Sequence, residues 1–157
     1  MPIYLDERTL ESLELRFQYI FSKENRYPGA PSVTSNIVAN APFFVDDLKI
    51  TPIEVMHGTL PVTAYRFLDF AYLTDMKSIT KQEKEKLKNL DVLVINALRI
   101  EEHPTHLNLQ EAFEFINEIQ PKKTYFTHIS HEIEHEKDSK DLPEGFFLAY
   151  DGLEIDL

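Results

Sequence analysis

Cysteine and tryptophan are absent from this 157-residue chain, and glycine occurs only 4 times. The lack of cysteine excludes a disulfide scaffold, a thiolate zinc site and a cysteine nucleophile. The shortage of glycine disfavours phosphate-binding glycine loops, and neither a P-loop nor a dinucleotide fingerprint occurs. No apolar run approaches the roughly 18 residues that a membrane helix requires, and residues 1–8 do not resemble a secretory signal. We therefore expect a cytoplasmic protein without a membrane partner.

Basic residues are also scarce, since 16 Lys and Arg stand against 27 Asp and Glu and give a formal net charge of −11. Binding to a nucleic-acid backbone depends on Lys and Arg, so a nucleic-acid partner is not favoured. The chain is nevertheless rich in apolar residues (43%), with 11 Phe and 7 Tyr, which is typical of a folded globular protein. At this length we expect one domain spanning residues 1–157.

Helical spacing of apolar residues predicts helices over residues 10–21 and 109–119, and a helix-start pattern predicts a short helix over 80–90. The second helix begins with a capping-box pattern at Thr80 and Glu83, and the third with the same pattern at Asn108 and Glu111. Pro121 ends the third helix. A turn-rich loop is predicted over residues 25–32.

Apolar or alternating runs predict strands within residues 36–62, one or two more within 64–73, and strands at 91–95 and 124–127. Because the run at 91–95 is apolar throughout, we expect that strand to be covered on both faces. Asp151-Gly152 predicts a closing hairpin over residues 146–157. The alternation of strands and helices from 71 to 128 indicates an α/β fold whose sheet is parallel in part and mixed overall.

Three metal-capable side chains stand where apolar strands are predicted to stop: His57, Asp75 and His128. Ligands of open α/β sheets gather at the carboxyl ends of strands, and imidazole with carboxylate suits Zn²⁺, Mn²⁺ or Fe²⁺. The competing interpretation is that the histidines are hydrogen-bonded boundary residues and that Asp75 is a helix cap.

Of the four remaining histidines, His106 is the better candidate, and His103, His131 and His135 are weaker. His106 lies in the loop before the third helix and could reach a strand-end site, whereas we interpret His103 in the same loop as a solvated turn residue. His131 and His135 match the metalloprotease pattern His-Glu-x-x-His. That motif needs a long helix, and this segment runs into a charged loop, so we favour a short polar helix.

Taken together, these residues resemble the metallo-β-lactamase-fold hydrolases, and the branch they are most similar to is the cyclic-phosphate phosphodiesterases of carbon–phosphorus lyase pathways. The matching stretches follow the family's order along the chain: residues 9–21, 53–58, 72–76, 91–99, 106–116, 127–131 and 149–153. The resemblance implies the C-terminal half of an αββα sandwich, with a mixed sheet and flanking helices.

The resemblance also implies a site with two divalent metal ions, Zn or Mn. His57 would ligate the first ion, His128 the second, and Asp75 would bridge them. His106 matches a family histidine near the scissile phosphate that stabilises the transition state or protonates the leaving oxygen. The implied reaction is hydrolysis of a small phosphodiester.

One departure from the family is large, because its central signature, His-x-His-x-Asp-His, occurs nowhere in this sequence. We therefore expect the C-terminal portion of a longer enzyme. By itself such a portion should bind metal weakly or not at all and be inactive. Its sheet should keep an uncovered apolar face, so we expect self-association or association with the missing N-terminal segment.

Three alternatives remain open. The chain could be a non-catalytic dimerising or binding remnant of the fold, or a relative of the tRNA-processing nucleases, which its acidic charge disfavours. It could also be an unrelated α/β domain with boundary histidines. The third alternative requires His57, Asp75 and His128 to lie far apart.

Overall fold

The computed structural model describes residues 1–22 and 28–157. Contacts divide the chain into two compact units, Met1–Ala41 and Pro42–Leu157. The turn-rich loop predicted at 25–32 begins outside the described residues, which resume with a turn at Pro28 and Gly29. None of the helices in the described ranges is long and apolar enough to cross a membrane.

The first unit pairs two short parallel strands, β1 (Pro2–Leu5) and β2 (Thr34–Ile37). Between them lie α1 (Glu7–Arg16) and α2 (Gln18–Phe21). The prediction of one helix over 10–21 is wrong, because Phe17 leaves the helical conformation (φ −124°, ψ 43°). Neither helix buries a residue, so tertiary packing does not hold the backbone helical through Phe17.

The second unit contains the remaining elements. The strands are β3 (Phe43–Val45), β4 (Leu48–His57), β5 (Leu60–Phe67), β6 (Phe70–Leu73), β7 (Ser78–Ile79), β8 (Val92–Asn96), β9 (Lys123–Thr127) and β10 (Phe146–Leu148). The helices are α3 (Lys81–Lys84), followed by a 3₁₀ turn over Glu85–Leu87, then α4 (Leu109–Ile119) and α5 (His135–Asp138).

These strands form one mixed sheet in the order β10-β9-β8-β6-β5-β4-β3, with β7 paired to β4. The strands β6, β8, β9 and β10 are parallel, whereas β3, β4, β5 and β6 pair antiparallel. Since β4 and β6 both run opposite to β5, they share one direction. The carboxyl ends of β4, β6, β8 and β9 therefore meet at one edge of the sheet. The predicted mixed α/β sheet with flanking helices is confirmed.

The core of this unit lies around β8, whose five residues are all buried. Helix α4 packs on one face of the sheet, where Phe113 contacts the rings of Phe126 and Phe146 at centroid distances of 5.4 and 5.2 Å. The expectation of a strand covered on both faces is confirmed. This covered strand is the rigid element that carries the loop leading to His106.

Both predicted helix starts form, with Thr80 capping α3 and Asn108 capping α4, but only α3 is shorter than predicted. Helix α4 has a complete capping box, since Asn108 and Glu111 each accept the other's backbone N–H, and it ends at Gln120 in the left-handed region, before Pro121. Helix α3 ends at Lys84, short of the predicted residue 90. The carboxylate of Glu83 accepts the N–H of Glu54 at 2.8 Å, so this residue serves the neighbouring strand as well as its own helix.

The predicted hairpin over residues 146–157 is wrong. β10 instead pairs in parallel with β9, and the residues after it are not in a strand. The turn itself is present, with the N–H of Leu153 bonded to the carbonyl of Tyr150 at 3.1 Å and Gly152 at φ +85°. The open edge of β9 provides β10 with backbone partners that no local sequence signal reveals.

The sheet face opposite α4 carries a row of cross-strand partners that we call the aromatic row: Tyr65, Tyr72, Val94, Tyr125 and Phe147. Tyr125 stacks on Phe147 with ring centroids 5.1 Å apart. Tyr72 and Phe147 remain 44% and 42% exposed. Large apolar rings at this exposure indicate a surface suited to association.

Candidate functional site

The three strand-end residues lie together at the carboxyl edge of the sheet. His57 is the last residue of β4, Asp75 follows β6 by two residues, and His128 directly follows β9. His106 arrives from the loop between β8 and α4. The alternative in which these residues lie far apart therefore does not describe this chain.

The geometry of this cluster is close. The Nε2 atom of His106 lies 3.2 Å from Nε2 of His57 and 3.1 Å from Nε2 of His128. Asp75 Oδ2 is 3.7 Å from His106 Nε2, and Asp75 Oδ1 is 3.5 Å from His128 Nε2. The side chain of His106 is only 11% exposed, whereas those of Asp75 and His128 are 39% and 44% exposed. The cluster is thus closed behind His106 and open on the side of Asp75 and His128.

Backbone conformation places two members of the cluster. His128 has φ +56°, a left-handed conformation that is uncommon outside glycine. Gly58, directly after His57, has φ +64°, and an added Cβ would stand 2.8 Å from Cγ2 of Thr105. Glycine at this position therefore allows the loop that carries His106 to approach the end of β4.

A buried amide joins the backbone on either side of the site. Asn96, at the carboxyl end of β8, is fully buried. Its Oδ1 accepts the N–H of Met76 at 2.7 Å, and its Nδ2 donates to the Met76 carbonyl at 3.0 Å. The same carbonyl accepts the N–H of Leu107 at 3.0 Å. Asn96 thereby holds the residue after Asp75 against the residue after His106.

The surroundings of His106 favour its neutral form. Burial lowers its pKa below the ordinary value, the neighbouring His57 and His128 lower the pKa further, and Asp75 opposes them. A neutral imidazole has one ring nitrogen with a free lone pair, which is the form that binds metals.

The cluster fits a divalent metal ion by donor type and spacing. Ligand atoms of His57, Asp75 and His106 all lie within 4.8 Å of one another. Tetrahedral zinc with Zn–N bonds of 2.0–2.1 Å would hold two imidazole nitrogens about 3.3 Å apart, close to the 3.1 and 3.2 Å found here. Imidazole nitrogens at this separation also require a proton or a cation between them. His106 belongs to this donor group by distance, whereas the family resemblance gives it a role at the scissile phosphate.

The metalloprotease pattern does not form, because α5 begins only at His135 and His131 lies in a turn before it. The Nε2 atom of His135 lies 3.2 Å from the carbonyl of Leu148. These two histidines therefore do not share one helical face. This agrees with the expectation of a short polar helix in place of the metalloprotease motif.

Sequence reasoning missed His103, which we interpreted as a solvated turn residue. Its Nδ1 lies 3.0 Å from Nδ1 of His106, and the two ring centroids are 4.9 Å apart. The spacing of three residues between two histidines in one short loop was a signal that could have indicated this contact. Asn96 and Gly58 carried no comparable local signal.

An imidazole–carboxylate cluster at the carboxyl edge of a mixed α/β sheet is a donor set that suits a divalent metal ion, at the place where such sheets hold their ligands. Residues 1–129 match the beta-lactamase superfamily domain model. The chain therefore belongs to the beta-lactamase superfamily, and its fold is the metallo-β-lactamase fold.

Individual relatives add detail. A solved diphosphatase of the PhnP family is 37% identical, with a TM-score of 0.89 over 99% of this chain and 58% of its own. Zinc-bound PqqB from Methylobacterium extorquens is 19% identical, with a TM-score of 0.73 over 100% of this chain and 62% of its own, and supports the fold alone. A curated octanoyltransferase of Porphyromonas gingivalis is 37% identical over 98% of this chain. This chain spans only 32% of that transferase.

Proposed function

We propose that this chain carries part of the dinuclear metal site of a hydrolase that acts on small phosphodiesters. The observation that carries the proposal is the approach of three imidazole Nε2 atoms and one carboxylate from separate chain segments. The similarity to a diphosphatase at 37% identity supports phosphorus–oxygen bond hydrolysis as the reaction class.

In this proposal His57 would ligate one ion, His128 the other, and Asp75 would contribute carboxylate oxygens to both. Bound divalent ions supply positive charge that polarises the phosphate and acidifies water. His106, buried at the back of the cluster, presents its imidazole towards the reacting phosphate and donates or accepts the proton there. The exposed side of the cluster is where a small anionic substrate enters.

We also propose that the chain by itself is inactive or nearly so. The signature His-x-His-x-Asp-His does not occur in it, so three ligands divided over two ions leave both ions poorly held. Loss of even outer-shell partners typically lowers metal affinity about 10–100-fold. Zinc and manganese are the ions we favour, because His and Asp donors suit both of them. The cytoplasmic location stays a prediction.

Two other activities are less well supported. A tRNA-processing nuclease would contact an extended phosphate backbone, which a net charge of −11 disfavours. Octanoyl transfer is suggested only by the name of the Porphyromonas gingivalis relative, and this chain spans 32% of that protein. The strand-end cluster offers metal ligands rather than a thiol or hydroxyl nucleophile. A non-catalytic remnant of the fold remains the alternative that the activity test must exclude.

The activity test uses the full-length gene product that contains this chain, loaded with Mn²⁺ or Zn²⁺ and assayed with bis(p-nitrophenyl) phosphate. His57→Ala and His128→Ala should each abolish metal-dependent cleavage and lower metal content. His106→Ala should slow turnover while metal content is retained. His131→Ala, outside the cluster, is the matched control and should behave as wild type.

Two outcomes would contradict the proposal. If the full-length, metal-loaded protein cleaved no phosphodiester, the non-catalytic alternative would stand. If His106→Ala turned over like wild type, the role of His106 would have to be withdrawn. A parallel assay with precursor tRNA separates the nuclease alternative, which predicts cleavage of RNA in preference to the small substrate.

The aromatic row is our proposed association surface, because Tyr72 and Phe147 present large exposed rings on the face opposite α4. We propose that the rest of the enzyme covers this face, since the similar diphosphatase has substantial chain beyond the 58% that is matched. The isolated chain should then self-associate through the same rings. Phe147→Glu should shift its sedimentation towards the monomer, and Lys140→Glu should not.

A further inference from the structure

His103 faces the side of His106 that points away from the cluster. Its Nδ1 lies 3.3 Å from the backbone N–H of Thr105, which donates to it. Its Nδ1 is also 3.0 Å from Nδ1 of His106. The hydroxyl of Thr105 stands between the two rings, 3.3 Å from His103 Nδ1 and 3.0 Å from His106 Nδ1.

These contacts favour one placement of the proton on the His106 ring. A backbone N–H can only donate, so Nδ1 of His103 is an acceptor and carries no proton. Two unprotonated nitrogens facing each other at 3.0 Å would repel, whereas a proton on Nδ1 of His106 can bond to His103 Nδ1 and to the Thr105 hydroxyl oxygen, which also accepts. In neutral His106 the free lone pair then lies on Nε2. Nε2 is the atom that lies 3.2 and 3.1 Å from His57 and His128.

We propose that His103 is a positioning residue, which fixes His106 as the Nδ1–H tautomer and so turns Nε2 into the atom that acts at the site. The assignment of a role at the site rests on the proposed function, whereas the tautomer itself does not. The contact between the two Nδ1 atoms holds the His106 ring with Nε2 turned towards His57 and His128.

The test is nitrogen NMR on this chain, metal-free and labelled with ¹⁵N in histidine. Long-range ¹H–¹⁵N correlation separates protonated from unprotonated ring nitrogens, and His106→Ala identifies the signals of His106. The wild-type chain should show a protonated Nδ1 and an unprotonated Nε2. His103→Leu removes the acceptor, so the Nε2 signal should move markedly towards the protonated position.

Matched variants separate positioning from general damage. His103→Asn offers Oδ1 near the place of the lost nitrogen and should restore the wild-type signals. His131→Leu removes a histidine outside the cluster and should leave the His106 signals unchanged. His103 lies in a loop and is only partly buried, so the backbone amide spectrum of His103→Leu should keep its dispersion.

The proposal is overturned if wild-type His106 carries its proton on Nε2, or if His103→Leu leaves the His106 signals in place. In the full-length enzyme, His103→Leu should lower kcat about 10–100-fold without loss of bound metal, and His103→Asn should recover most of it. Because the tautomer is measured without metal or substrate, failure of the proposed hydrolase activity would leave that result intact and would be recognised separately.

Discussion

The two edges of the mixed sheet differ in the partners of their acidic residues. At the amino edge the acids that precede β6 and β8 are paired with cations: Asp69 contacts Arg66 at 2.9 Å and Asp91 contacts Lys122 at 2.7 Å. At the carboxyl edge Asp75 faces the imidazoles of His106 and His128 instead. One edge is neutralised by the chain itself, whereas the other presents lone pairs and a negative charge suited to a cation.

The difference extends to how the edges are held. At the amino edge the Lys122–Asp91 pair is largely exposed, with side-chain exposures of 73% and 52%, whereas Arg66 of the other pair is only 20% exposed. Exposed pairs of this kind contribute little to stability. The carboxyl edge is held by the buried amide of Asn96 and by the capping box of α4. The carboxyl edge therefore depends on buried hydrogen bonds for its shape. Three substitutions test this difference between the two edges.

The largest effect is expected at Asn96. Asn96→Leu keeps approximate size but leaves the N–H of Met76 without its 2.7 Å acceptor, and an unsatisfied buried group costs about 1–3 kcal/mol. The free energy of unfolding, measured by urea denaturation, should fall by that amount. Asn96→Asp keeps the acceptor but removes the donor and buries a charge, so it should be no more stable than Asn96→Leu. A wild-type denaturation curve for Asn96→Leu would show that this amide does not hold the site.

A smaller, pH-dependent effect is expected at Glu111. Its carboxylate accepts from Lys77 Nζ at 2.6 and 2.8 Å and from the N–H of Asn108 at 2.9 Å. Burial raises its pKa, but the hydrogen bond from Lys77, the N–H of Asn108 and the charge of Lys77 outweigh burial, and the pKa is lowered. The stabilisation is therefore present above the ordinary Glu pKa of about 4.3 and is lost as the pH falls through the lowered value.

Glu111→Gln should accordingly destabilise the chain by about 1 kcal/mol at neutral pH. The gap between wild type and variant should close as the pH is taken below about 4. Denaturation of both proteins across this range checks the sign. Glu14→Gln, which removes an exposed carboxylate of α1, is the control, and a gap that widened in acid would contradict the assignment.

The smallest effect is expected at the amino edge. Lys122→Ala removes the partner of Asp91 from a largely exposed pair, in which the hydrogen bond with Asp91 raises the pKa of Lys122. Solvent screening makes such a pair nearly neutral for stability. The denaturation midpoint should stay at the wild-type value within experimental error. A loss as large as that of Asn96→Leu would erase the difference between the two edges.

Elements whose interacting groups are close together in the sequence formed as predicted. The run of apolar residues at 92–95 formed the buried strand β8, and the box of Asn108 and Glu111 formed at the start of α4. In these places the interacting groups are neighbours along the chain, so spacing is sufficient to indicate them. Strand-end placement likewise brought His57, Asp75 and His128 into consideration, because parallel strands share an edge.

Elements that depend on partners far away in the sequence differ from the prediction. Glu83 bonds the backbone of Glu54, 29 residues away, and α3 is shorter than predicted. The residues after the turn at Gly152 did not return as a strand, because β10 found its partner in β9. The residues around His103 fit a solvated turn, yet the ring of His103 lies against that of His106.

The sequence by itself determined the alternation of strands and helices, the acidic surface and the chemical identity of the donor groups, since these follow from residue type and short-range spacing. Only the tertiary structure decided which donors meet, which backbone atoms hold them and which nitrogen of His106 faces the cluster. The physical reason is range: hydrogen bonds across 20 to 50 residues of chain depend on how the sheet brings its edges and loops together.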